Sequence, residues 1–381
     1  PVMSSYLTAG LLVAALSGAA LAGDTEIPAP GDLGGPVEGL STQELRSWQR
    51  GFVLFDKNFH MADGVGTPDF NADSCRACHQ DPVIGGAGGL ELNVSRFGYD
   101  NGGAGPFQDL AGGQGLSKLR PPVDPERENY PPEADVFEQR QTPSTLGLGL
   151  LEQIPASAIL ANEDPEDSDG DGVYGVARMV VINGRRELGR FGWKAQVPKL
   201  SDFVRDAMAN ECGITTPDDG RGFSLESDGD AVADPELTLL EVQDSTNFLK
   251  FLAPPPRGGN GSDPSVIQGE ALFMTIGCDT CHIPSLPSSS GPVRLYSDLL
   301  LHNVMPDGYR GMAEPGAPAG YFRTPPLWGA VSTKPYMHDG RAESFREAIQ
   351  MHEGEASDAS DAFDALMPAE QTALLDFLRD L

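Results

Sequence analysis

The sequence predicts a mainly α fold, two domains of similar plan wrapped in long loops, and three observations predict it. Amphipathic helical stretches with clear start signals occur in both halves, beginning near Thr42 and Pro264. Each leads into the same five-residue word, Cys75-Arg76-Ala77-Cys78-His79 and Cys278-Asp279-Thr280-Cys281-His282. Around them, 46 glycines and 32 prolines in 381 residues call for abundant loop rather than long regular elements.

The repeated word carries chemistry. Two thiols separated by two residues can add across the vinyl groups of a haem, and the histidine that follows at once is placed to ligate the iron. Two copies use four of the five cysteines. A structural zinc site would want its cysteine pairs closer in sequence, and a thioredoxin-like dithiol would not need the histidines. The sequence therefore predicts two covalently bound haem c groups, attached through Cys75, Cys78, Cys278 and Cys281, with His79 and His282 as proximal ligands. Each domain is expected to be cytochrome-c-like.

Composition narrows the partners. A formal net charge of -30, from 56 acidic against 26 basic residues, argues against nucleic acid and against an anionic membrane surface. A basic or small neutral partner suits it better. Leu7 to Ala22 is apolar and small, and Ala20, Leu21 and Ala22 form an A-x-A cleavage site. Residues 1–22 are thus expected to be an export signal, too short to span a membrane stably, and the mature protein is expected in the periplasm or otherwise outside the cytoplasm.

Residues 23–40 have no period and form a linker. An N-terminal domain is expected over 41–256. Its first helix starts at a capping box, Ser41 with Glu44, and places Leu45, Trp48, Phe52, Phe55 and Phe59 on one face towards His60. From Cys75 to Arg140 the chain gives little periodic signal, so loops that wall a haem pocket are expected. Asp167, Asp169 and Asp171, followed by Gly172, match the first half of an EF-hand calcium loop, although Arg178 stands where the closing glutamate belongs. A Ca2+ site and a solvated acidic turn are the two readings. Val176 to Ile182 suggests a strand of a small hairpin that turns at Asn183 and Gly184. Leu200, Phe203, Val204, Ala207 and Met208 make a helix stopped by Gly213.

A helix from Leu237 to Leu252 ends at Pro254, Pro255 and Pro256, and residues 257–262 mark the boundary. The C-terminal domain, 263–381, opens with Asp263 as cap and Pro264 at the first helical position. It closes with helices over Glu343–His352 and Pro368–Leu381. The halves also echo one another. Gly51, Leu54 and Phe55 precede the first haem word as Gly269, Leu272 and Phe273 precede the second, and Thr142, Pro143 and Gly147 match Thr324, Pro325 and Gly329. Markers in one order on both sides indicate duplication.

Six words in order, FNADSCRACH (Phe70–His79), RFGWKA (Arg190–Ala195), ANECGIT (Ala209–Thr215), YSDLLLH (Tyr296–His302), RTPPLWG (Arg323–Gly329) and YMHDGRA (Tyr336–Ala342), resemble the di-haem oxidoreductases. That family is similar to the bacterial di-haem cytochrome c peroxidases and to the di-haem enzyme that matures methylamine dehydrogenase. The resemblance implies that the N-terminal haem binds peroxide and the C-terminal haem passes it electrons. It implies Trp193, in a word like FWDGRA with one residue inserted, as the electron bridge. Glu211, in a word like ANPVEMG with two residues missing, becomes the acid that moves peroxide protons. Tyr321, four residues before Pro325, falls at the distal ligand position of the second haem; Met305 and Met312 are thioether alternatives. Cys212, beside Glu211, is either a reactive thiol or a small buried residue.

The expected function is an exported di-haem peroxidase with hydrogen peroxide as oxidant and a redox protein as electron donor. A di-haem electron carrier without catalysis, or a di-haem oxidase acting on a protein or organic partner, would use the same haem words.

Overall fold

A computed structural model describes residues 26–66, 70–113, 115–118 and 129–381; the expected export signal lies outside the described residues. Among these, helices are the longest elements: α1 (Thr42–Asp56), the single turn α2 (Cys75–Cys78), α3 (Leu148–Gln153), α4 (Ala156–Leu160), α5 (Leu200–Ala207), α6 (Leu239–Phe251), α7 (Pro264–Thr275), α8 (Phe345–Gln350), α9 (Ser357–Ala365) and α10 (Pro368–Asp380). None is long and apolar enough to cross a membrane.

Two helix pairs organise the chain, and both depend on a glycine. The Ser41–Glu44 capping box starts α1, whose buried face carries Trp48, Phe52 and Phe55. Gly51 lets α1 lie on α6, since a Cβ there would sit 2.0 Å from the Asp244 carbonyl oxygen. Phe55 then packs on Phe248 with ring centroids 4.7 Å apart. In the second half Gly269 of α7 meets Ala373 of α10 in the same way, again 2.0 Å from a carbonyl oxygen, and Phe273 packs on Phe377 at 5.3 Å. Each fully buried phenylalanine contributes roughly 1.5–3 kcal/mol.

The parallel extends further. Gly147 and Gly329 both take left-handed backbone, φ +78° and +63°, and donate to the residue that ends α6 and α10, Leu252 and Leu381 respectively. The echo read in the sequence is therefore built into the packing. The halves are not separate bodies, however, because the larger core also takes in Leu286, Val293, Leu295 and Leu300 from beyond residue 263.

The fold holds more strands than the sequence predicts. The expected hairpin exists, as β4 (Met179–Ile182) and β5 (Arg185–Leu188) turning at Asn183 and Gly184, φ +51° and +75°. The stretch expected to be loop contains β1 (Val94–Tyr99), β2 (Gln108–Asp109) and β3 (Val136–Arg140), an antiparallel sheet in the order β2-β1-β3. Its inward face carries Arg96, Glu138 and Arg140, all buried, so the polar and apolar alternation that signals a strand is absent. Two further pairs join β6 (Leu286–Ser288) to β7 (Gly291–Val293) and β8 (Leu301–Asn303) to β9 (Tyr321–Arg323). The helix expected over Glu343–His352 is confined to α8, and α9 follows it.

Candidate functional site

Both haem words fold into a tight turn with the same hydrogen bonds. At the first, the Ser74 hydroxyl caps α2 by accepting from Ala77 N at 3.3 Å, and His79 N donates to Cys75 O at 3.0 Å. At the second, Gly277 enters the turn with φ +85°, and His282 N donates to Cys278 O at 3.0 Å. Each imidazole spends its Nδ1 on a backbone carbonyl, His79 on Gly86 O at 3.1 Å and His282 on Tyr296 O at 2.9 Å. That fixes the ring and leaves Nε2 as the lone-pair donor a metal requires. Phe55 and Phe273 flank the two rings, at 6.0 and 6.2 Å. Burial lowers the pKa of both imidazoles, that of His282 to about 4, which favours the neutral ligating form.

The four cysteines of the two words are unbridged thiols. Burial pushes Cys78 up to about 11 and Cys278 up to about 12. The donor set at each word is therefore complete for covalent haem: two thiols and an oriented imidazole.

A cavity of about 460 Å³ opens beside the first word, lined by Phe59, Phe70, Asn71, Cys78, Leu92 and Lys118 among others. Glu211 reaches this region from the end of α5. There the helix widens into a π turn, Met208–Cys212, that stops at Gly213 with φ +59°; such turns often mark functional positions. The Glu211 carbonyl accepts from Asn71 N and Ala72 N at 2.8 and 3.1 Å. Its carboxylate accepts from Asn71 Nδ2 at 2.7 Å. Burial raises its proton affinity, partly offset by Asn71 and Lys118. Cys212 is buried, and its contact with Cys75 and then burial raise the pKa of its thiol.

Hydrogen-bonded segments run from Trp193 towards both words. Its indole N–H donates to Gln141 O at 2.8 Å, and Gln141 Nε2 donates to Gly88 O at 2.9 Å; Gly88 in turn lies against the Cys78 carbonyl. On the other side Arg323 N donates to Trp193 O at 2.7 Å, Thr324 N donates to Leu300 O at 3.0 Å, and Asp298 N donates to Cys281 O at 2.9 Å.

The remaining histidines have distinct settings. His302 is held between Asp298 and Glu355, at 2.8 and 2.9 Å, so both ring nitrogens are engaged. His338 stacks on Phe322 at 3.9 Å and meets Tyr309 Oη through Nε2 at 3.0 Å. His60 is exposed at the cavity rim. His352 engages its ring in the same way as His79 and His282: Nδ1 meets a backbone carbonyl, Ala348 O, at 2.6 Å. Tyr321, half-buried in β9, instead has Glu355, His302 and Tyr174 as its charged or ionisable neighbours. Met305 and Met312 are buried, and Met312 N donates to Glu138 at 3.2 Å.

Sequence reading missed a buried charge cluster between the halves. Glu314 pairs with Arg96 and Arg178, each at 2.6 Å, and with Arg140 at 3.8 Å, while Glu138 pairs with Arg140. Beside it, the fully buried Lys194 Nζ donates to the carbonyls of Pro318, Ala319 and Tyr321 at 2.6, 2.9 and 2.8 Å. Burial and then Arg140 lower that ammonium to about 7. Asp167, Asp169 and Asp171 do come together, with carboxylate oxygens within 4.8 Å of one another, on an exposed loop.

Residues 132–381 match the family model described as "Di-haem oxidoreductase, putative peroxidase". The chain belongs to this family. As a di-haem oxidoreductase it is an enzyme that works with haem, which fits the two words described above. No curated protein matches it. Among solved structures, the diheme peroxidase BthA from Burkholderia thailandensis is similar at 16% identity over 93% of this chain and 89% of that one, TM-score 0.45. A MauG-like protein associated with microbial copper homeostasis shares 16% identity over 94% and 95%, TM-score 0.43. Kuenenia stuttgartiensis hydrazine synthase shares 15% over 100% and 99%, TM-score 0.41. Likeness at this level transfers no residue role to this di-haem oxidoreductase.

Proposed function

We propose that the chain is an exported di-haem peroxidase that reduces hydrogen peroxide at the haem on Cys75, Cys78 and His79, with electrons entering through the haem on Cys278, Cys281 and His282. When bound, the haems supply the redox chemistry and the iron at which peroxide is reduced. The observation that carries the reading is Glu211, fixed by Asn71 beside the cavity of the first haem word and made more basic by burial. A carboxylate there takes a proton from one peroxide oxygen and returns it to the other. Trp193 bridges hydrogen-bonded segments that reach both haem words, which suits it to relay electrons. The excess of acid, net -30, favours a basic redox protein as donor.

For the sixth ligand of the second haem, His352 stands beside Tyr321 as a candidate. Its Nδ1 is spent on a backbone carbonyl, as in His79 and His282, which leaves Nε2 for a metal. An imidazole cap does not bias the iron towards the oxidised state as a phenolate does, so it favours an electron-accepting haem over one that stores oxidising equivalents.

Electron paramagnetic resonance of the oxidised and half-reduced holoprotein, with peroxide consumption followed in the same samples, tests the function. A peroxidase shows a high-spin component and consumes peroxide at the expense of a reduced cytochrome. Two low-spin haems in every oxidation state, with no peroxide consumed, would make the protein an electron carrier.

A further inference from the structure

We propose that the cleft between α4, the β4–β5 hairpin and the start of α5 binds a small carboxylate with an apolar body, gripped at its charged end by Arg190. The cleft has a volume of about 540 Å³, within the roughly 300–1,000 Å³ of small-molecule sites. None of its lining residues belongs to either haem word, and the inference does not depend on the peroxidase reading.

The guanidinium of Arg190 is fixed on one side and open on the other. Nη1 donates to Leu151 O at 2.8 Å and to Ile154 O at 2.7 Å, which docks it on the carbonyl end of α3. Nε and Nη2 have no partner among the described residues. Neither atom is sealed from solvent, and the side chain lines the cleft. Those two atoms are the edge that takes a carboxylate through two parallel hydrogen bonds. The chain uses the same edge elsewhere: Arg221 Nε and Nη2 donate to Asp202 Oδ1 and Oδ2, both at 2.7 Å. At Arg190 no acid of the described residues fills that place. The residue is half-buried, and burial lowers the pKa of its guanidinium against a smaller opposing effect of Glu152. A partly desolvated cation without an ion-pair partner is costly, and a bound anion relieves the cost.

The rest of the wall suits the same ligand. Arg186 and Lys199 add two cations; Arg186 has no acidic partner among the described residues, and Lys199 stands 3.9 Å from Glu187. Both acids in the wall are already engaged. Glu152 accepts from Leu200 N at 2.8 Å, and the two oxygens of Glu187 accept from Arg221, each at 2.9 Å. A chain of net charge -30 thus turns three cations towards one cleft. Leu160, Met179 and Leu188 complete the lining, and Leu160 is 39% exposed. A bare inorganic anion would leave that apolar surface wet, whereas a carboxylate on a hydrocarbon or aromatic body would cover it.

The test is calorimetric titration of the holoprotein with sodium benzoate, hexanoate, acetate and inorganic phosphate at fixed ionic strength; peroxide consumption plays no part in the readout. Benzoate and hexanoate should bind one per chain, and acetate, lacking the apolar body, at least about tenfold more weakly. Phosphate should bind no better than acetate. Arg190→Lys keeps a cation for the Leu151 and Ile154 carbonyls but removes the fork, and should weaken benzoate binding by about tenfold or more. Arg186→Gln and Lys199→Gln, at exposed positions, should each weaken it by about two- to fivefold, an effect that shrinks as salt rises. Leu160→Asp places a negative charge on an exposed part of the wall; it should abolish binding while Tm and the haem spectrum stay as in wild type. Absence of benzoate and hexanoate binding in wild type, phosphate binding as tight as either, or undiminished binding in Arg190→Lys or Leu160→Asp would overturn the proposal.

Discussion

Asn71 Nδ2 donates to Glu211 Oε2 at 2.7 Å, joining the segment that enters the first haem word to the turn that ends α5. The bond does two things. It aims the carboxylate, and it partly offsets the rise in proton affinity that burial causes. Glu211 must be deprotonated to accept a peroxide proton, so the rate should climb with pH as the carboxyl ionises. Asn71→Ala removes a lowering influence and should move that acidic limb to higher pH in kcat/KM. Glu211→Gln should cost roughly 10²–10⁴-fold in peroxide turnover with both haems still attached. Unchanged turnover in Glu211→Gln, measured against an intact haem spectrum, would remove Glu211 from the mechanism.

His352→Ala should leave the second haem short of a sixth ligand. The expected readout is a new high-spin ferric signal assigned to the C-terminal haem, while Tyr321→Phe leaves the spectrum as it was. The opposite pattern would return the ligand role to Tyr321.

Trp193→Phe keeps an aromatic ring at this position and deletes the N–H that holds Gln141. Electron delivery should slow by about tenfold, equal to ~1.4 kcal/mol, in stopped-flow reoxidation of the reduced protein by peroxide. The reaction of the fully oxidised protein with peroxide should be unaffected. If reoxidation is as fast as in wild type, electrons take another route.

The parts of this architecture legible in the sequence are those with local signals. Ser41 with Glu44, Asp263 with Pro264, and the Asn183–Gly184 turn are each decided by a few adjacent residues, and each stands as read. The haem words are equally local. The sheet of β1 and β3 was hidden because its inward side chains are charged, and their partner Glu314 lies more than 170 residues downstream of either strand.

Glu314 makes the charge cluster testable. Burial alone would raise its pKa, but Arg96, Arg178 and Arg140 override that and hold it at about 2, below the ordinary 4.5. A carboxyl depressed on folding stabilises the protein fully above its unfolded value, and that contribution is lost as pH falls from about 4.5 towards 2. Glu314→Gln should therefore destabilise the protein by ~3–5 kcal/mol at neutral pH, because three buried guanidinium groups lose their shared partner. It should also flatten the stability curve between those pH values. Urea melts at pH 7 and pH 3 give both numbers; a variant that loses stability on acidification as steeply as wild type would contradict the assignment.

Gly269 tests the helix pairing that supports the second haem word. A methyl group there would lie 2.0 Å from Ala373 O and 2.7 Å from Phe377 Cβ, so α7 and α10 must separate in Gly269→Ala. Overpacking of this kind costs ~1–3 kcal/mol, occasionally more. Gly308→Ala is the control, since Gly308 has left-handed backbone at φ +76° but open space around it, and only the backbone penalty of ~1–2 kcal/mol applies. The two variants differ in where the damage falls. Pushing α10 away withdraws Phe377 from Phe273, and Phe273 is the ring that flanks His282. Gly269→Ala should therefore perturb the spectrum of the C-terminal haem and spare the N-terminal one, whereas Gly51→Ala, acting through Phe248 and Phe55 on His79, should do the reverse. Gly308→Ala should lower Tm without touching either spectrum. If Gly269→Ala and Gly51→Ala disturbed both haems alike, the helix pairs would not be acting as separate supports.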